Sequence, residues 1–143
     1  LEQIIKSNVE IGIVTDLDWE GKYEGRFEHP KNQADNVIIE NNQIKKIRKN
    51  ISTVLKKQLN AEFVGIVKFS KNGSEIFVNE FNKIEKIKPN PFHDAKTFEK
   101  SYLTDMIQEL IDQKKIIKPI LINGNWCEID TPQDLENAKK IFL

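Results

Sequence analysis

A repeated change of hydrophobic period constrains this chain most. The runs "VEIGIVTD" (9–16), "AEFVGIVKFS" (61–70) and "IIKPILIN" (116–123) are short, apolar and rich in β-branched residues. That is the pattern of buried strands. Between them the period lengthens. "SEIFVNEFNKIEKI" (74–87) sets Ile76, Phe77, Phe81, Ile84 and Ile87 at helical spacing, and "SYLTDMIQELIDQ" (101–113) does so with Leu103, Met106, Ile107, Leu110 and Ile111. "NVIIENNQIKKIRKN" (36–50) reads as strand, Asn41-Asn42 turn, strand, since Asn tolerates the left-handed turn conformation. Pro89 and Pro91 end the first long helix. "LDWEGKYEGRFEHP" (17–30) is a polar loop bearing aromatic residues, and "LEQIIKSN" (1–8) resembles the last turns of a helix. Strands interleaved with helices predict one α/β domain over 1–143, with a mixed sheet and flanking helices.

The last stretch, "GNWCEIDTPQDLENAKKIF" (124–142), is the most informative. Asn123-Gly124 signals a hairpin, and "NWCEID" then reads as a returning strand. Thr131 is a helix N-cap, Pro132 fits the first helical position, and Asp134 stands where a capping box needs a carboxylate. On a strand, Glu128 and Asp130 share a face. Two like charges side by side repel, and burial sharpens the repulsion. Such a pair persists where it faces water or where a cation lies between. Hard cations such as Mg²⁺ take one or two carboxylates and complete their shell with water and phosphate oxygens. Spacing alone favours the simpler alternative, a solvated strand end with Asp130 complementing the helix dipole.

Charge and cysteine content narrow the classes. Lys plus Arg is 22 and Asp plus Glu is 22, so no polyanion-binding footprint exists and nucleic acid is set aside as a partner. The apolar runs are too short to span a bilayer. Cys127 is the single cysteine, which suits a reducing, cytoplasmic setting.

The ordered motifs resemble those of the nucleotidyltransferases. "NWCEIDTPQDLENAKKIF" looks like their C-terminal signature, in particular that of proteins similar to CTP:phosphocholine cytidylyltransferase and of nucleotidyltransferase domains joined to phosphoenolpyruvate phosphomutase. "VTDLDWEGKYEGRFEHP" resembles their D-x-D-W…Y…R…H-P segment, "FVGIVKFS" their G-I/L-x-K-F-S strand, and "SYLTDMIQELID" their Y-x-T-D-x-x-Q-x-L-I helix. The resemblance implies a three-layer Rossmann-like fold. It also implies transfer of a nucleotidyl group, from CTP in this subgroup, to a small phosphorylated or phosphonate acceptor with release of pyrophosphate. It gives Glu128 and Asp130 to a catalytic Mg²⁺. It places the loop carrying Trp19, Tyr23 and Arg26 near the acceptor, with aromatic faces for an aminoalkyl cation and a guanidinium for a phosphate; aromatic packing that pins the loop is the alternative.

Two departures accompany the resemblance. The family's G-x-G-x-R phosphate loop is absent, for the six glycines (Gly12, Gly21, Gly25, Gly65, Gly73 and Gly124) never cluster that way. The chain is therefore expected to be the C-terminal portion of a nucleotidyltransferase domain, inactive alone. In "QADNVI" (33–38), Asp35 and Asn36 replace a familiar Glu-Lys pair, which puts Asp35 at the acceptor side without a charged partner. The contrasting expectation is a non-catalytic binding or assembly module of the same fold.

Other residues carry two readings each. Tyr102 and Asp105 open a helix, where Asp105 either meets an ammonium group or complements the dipole. Gly65 within a strand suggests close approach by a ligand, or packing. Trp126 suits a supporting role, Cys127 the core, and His29 and His93 the surface. A homo-oligomer is expected, its interface at Ile11, Ile13 or the helix remnant with Ile4 and Ile5.

Overall fold

The computed structural model describes residues 1–143. Five strands form one sheet: β1 (Ile11–Asp16), β2 (Asp35–Glu40), β3 (Gln43–Lys49), β4 (Leu59–Phe69) and β5 (Lys118–Ile122). Their order is β3-β2-β4-β1-β5. β1 and β5 run parallel, and every other neighbouring pair is antiparallel. Four helices accompany the sheet: α1 (Glu2–Lys6), α2 (Lys71–Ile87), α3 (Leu103–Asp112) and α4 (Pro132–Phe142). The mixed α/β sheet with flanking helices matches the expectation.

The β-branched runs became strands because each feeds one core. Ile11, Ile13, Val37, Ile39, Ile44 and Ile47 pack with Phe63 of β4 and with Ile107 and Leu110 of α3. β4 serves two partners in turn, pairing with β2 over its first half and with β1 over its second. Within the β1–β4 pairing the register jumps from Ile13 opposite Val67 to Thr15 opposite Phe63. Gly65 sits in that bulge with φ of 77°. A Cβ there would meet nothing within 4 Å, so the chain's own packing does not require Gly65, whereas its positive φ does favour glycine. The sheet curls enough that the amide of Ile44 donates to the carbonyl of Ile117, 2.9 Å away, ahead of β5.

Three expectations need correction. α2 begins at Lys71, because Ser70 caps it by accepting from the Gly73 amide at 3.0 Å, one turn before the apolar spacing starts. Residues 123–131 are irregular, so "NWCEID" is no returning strand. Gly124 and Asn125 both have positive φ, 63° and 57°, and the chain turns away from the sheet. Finally, Ile11 and Ile13 are 2% and 0% exposed inside the chain's own core, since β1 lies between β4 and β5 and is no edge. They offer no surface to a second copy; Ile5, 67% exposed, does.

Candidate active site

The parallel strands β1 and β5 end side by side, with Asp16 opposite Ile122. Two loops leave from those carboxyl ends, 17–34 and 123–131. In α/β sheets this is where ligands bind, because the loops diverge there and leave a crevice. Both loops carry the predicted residues.

Glu128 and Asp130 do converge, although not as strand neighbours. Their carboxylate oxygens and a ring nitrogen of His29 all lie within 4.8 Å of one another. His29 Nδ1 stands 3.1 Å from Asp130 Oδ2. Burial, then the adjacent Asp130 charge, raises the Glu128 pKa, with His29 and Arg26 opposing. Two carboxylates that repel at this range, beside an imidazole, form a donor set suited to a divalent cation. The residues present thus fit the Mg²⁺ that the resemblance implies.

α4 is locked to the first loop. Asp134 closes a capping box with Thr131, accepting from the Thr131 amide at 3.0 Å. Its other oxygen accepts from Arg26 Nε at 2.7 Å. Asp134 lies well down at about 2: burial works against the charged form, and the bonds from Arg26 and Thr131 outweigh it. Gln133 accepts from the amides of Phe27 and Glu28 and donates to the Gly25 carbonyl.

Trp19 and Tyr23 pack edge to face with ring centroids 5.9 Å apart and are buried with Ala34. This packing is what the pinned-loop alternative describes. Lys31 Nζ lies 5.1 Å from the Trp19 centroid, and the Arg26 guanidinium 4.8 Å from that of Tyr23. Arg26 keeps one buried nitrogen, Nη2, without a partner.

Asp35, Tyr102 and Asp105 come together elsewhere. They line a polar cleft of about 840 Å³ with Arg48, His93 and Gln108, and neither Glu128 nor Asp130 borders it. Asp105 accepts from the amide of Tyr102 at 2.8 Å, which caps α3, and from the loop amide of Asp94 at 3.1 Å. Burial raises the Asp35 pKa. Cys127 is half-buried and lines an apolar groove on the opposite sheet face, not the core.

Four residues of the site were not foreseen: Asp16, Lys22, Glu62 and His29. Glu62 was detectable as a carboxylate inside the apolar run "AEFVGIV". It is 3% exposed, takes the Tyr23 hydroxyl as donor at Oε1, and leaves Oε2 without a partner. Asp16 stands beside it in the sheet register. His29 closes the D-x-D-W…H-P segment, but its meeting with Asp130, about a hundred residues away, carried no local signal.

No protein-family model matches the chain, and no solved structure matches it. A curated protein does. The CTP:phosphoglutamine cytidylyltransferase of Campylobacter jejuni is 31% identical over 136 residues, covering 95% of this chain and 52% of that relative. The chain thus spans about half the length of the curated relative it matches. Along nearly its whole length the chain is similar to about half of a cytidylyltransferase, and the mixed α/β sheet agrees with that likeness.

Proposed function

We propose that this chain carries the cation-holding carboxylates and the acceptor side of a nucleotidyltransferase domain whose phosphate-cradling part is supplied outside residues 1–143. The whole protein joins the cytidylyl group of CTP to a small phosphorylated acceptor. An acceptor phosphoryl oxygen attacks the α-phosphorus, the bond to the β-phosphate breaks, and pyrophosphate leaves. No covalent enzyme intermediate is needed, so positioning and charge stabilisation suffice. The observation that carries the reading is the convergence of Glu128, Asp130 and His29 beyond the carboxyl ends of the parallel strands.

Glu128 and Asp130 would hold the Mg²⁺, which when bound supplies positive charge to phosphate oxygens. His29 orients Asp130 through its Nδ1 contact. Arg26, fixed by Asp134, has an unpartnered Nη2 to offer an acceptor phosphoryl oxygen. Lys31 and Arg26 lie over the Trp19 and Tyr23 rings, which argues against a quaternary ammonium group on those faces. A phosphorylated amino acid or amide, the class named for the Campylobacter relative, fits better.

Pyrophosphate release from CTP with phosphorylated amino acids and with phosphocholine tests this in the protein as its gene encodes it. Asp130→Asn should lower turnover by on the order of 100-fold with an unchanged melting temperature. Unchanged turnover removes Asp130 from the mechanism, and no transfer with any acceptor favours the non-catalytic module.

A further inference from the structure

The segment that bears Glu128 and Asp130 has no secondary structure to hold it. None of residues 123–130 makes a backbone–backbone hydrogen bond. Its end is tied at Asp130, whose amide donates to Asp134 Oδ2 at 3.3 Å; what fixes its first half near the sheet is Asp16, fully buried at the end of β1. The Asp16 carboxylate gathers four donors from the two loops. Oδ1 accepts from the amides of Asp18 and Gly124, each at 2.9 Å. Oδ2 accepts from Trp126 Nε1 at 2.7 Å and from Lys22 Nζ. Lys22 Nζ also lies 4.1 Å from the Trp126 ring centroid, closing the cluster. Glu128 follows Trp126 by two residues.

We propose that Asp16 is a positioning residue that clamps the 123–130 segment to the first loop, so that Glu128 and Asp130 meet His29. The inference rests on the nucleotidyltransferase reading for its catalytic meaning, but the clamp itself is measurable without catalysis. Asp16 touches no reacting group; it acts through Gly124, Trp126 and Lys22. An anion is required there because every partner is a donor, one of them an ammonium. Asn offers a single acceptor oxygen and no charge.

Asp16→Asn and Trp126→Phe test it by backbone ¹⁵N relaxation and by Mn²⁺ titration. In the native protein the 123–130 segment should be as ordered as the sheet. In Asp16→Asn its order parameters should fall below about 0.6 while β1, β4 and β5 stay near 0.85. Mn²⁺ affinity should fall by roughly 10-fold or more. Trp126→Phe keeps an aromatic side chain, deletes one donor, and should give a smaller loss in the same segment; it decides the matter if Asp16→Asn does not fold. A segment equally ordered in both variants, or already disordered in the native protein, overturns the clamp. Mn²⁺ binding lost in Asp130→Asn but intact in Asp16→Asn also overturns it. Absence of Mn²⁺ binding in every form sinks the metal reading alone, and the relaxation result still decides for or against Asp16.

Discussion

Glu62 combines burial with an unpaired oxygen, and a single pH series exposes the consequence. Burial, offset by the Tyr23 hydroxyl, lifts its pKa from 4.5 to about 7, and the nearby Glu128 charge adds to the rise. The native state therefore holds the Glu62 proton more tightly than the unfolded chain does. The sign follows from linkage: this contribution to stability is complete below pH 4.5 and is lost as pH climbs through about 7. Glu62→Gln removes the titration and keeps an oxygen for Tyr23. Thermal melts from pH 4.5 to 8 should show a smaller decline for Glu62→Gln than for the native protein. Parallel curves would mean that Glu62 does not carry the effect. The same burial raises the Tyr23 pKa, with Glu62 as hydrogen-bond partner, so the phenol stays a donor throughout this range.

α4 shows what a sequence reveals about an element and what it withholds. Its start was legible in full, because an N-cap, a first-turn proline and a capping carboxylate act within four residues. The strands were legible for the same reason, as runs such as "IGIVTD" state their burial locally. The returning strand at 125–130 was not, since a hairpin signal says only that the chain turns. Whether it pairs afterwards depends on distant competitors, and here Asp16 claims Gly124 and Trp126. The second task of Asp134, binding Arg26, was invisible across 108 residues. The two tasks separate by mutation. Thr131→Ala removes a cap and should cost about 1 kcal/mol. Asp134→Ala also strands a largely buried guanidinium and should cost about 3–5 kcal/mol. Urea melts giving equal losses would show that the Arg26 pair adds nothing to the cap.

At the scale of the molecule the two faces of the sheet are unequal. One is covered by α3 and encloses the core. The other carries a groove of about 830 Å³ bordered by Val14, Val64, Ile66, Leu121, Trp126 and Cys127, with the start of the chain, α1 and the rest of the 123–128 segment, Glu128 included, alongside. Ile66 is 44% exposed there, and Ile5 of α1 is 67% exposed. β5 is also an edge strand, with one side unpaired. An open strand edge next to uncovered apolar surface favours association, because both are stabilised by a partner that adds a strand and shields the groove. A second copy of this chain presents the same edge and groove and can satisfy both around a two-fold axis. The 143-residue chain should therefore sediment as a concentration-dependent dimer. Ile66→Lys places a charge in the groove without touching the buried core, so it should shift the chain to monomer with its melting temperature within a few degrees of the native value. A native chain that stays monomeric at micromolar concentration would mean that this face needs no cover, and the groove would then lose its claim as an interface.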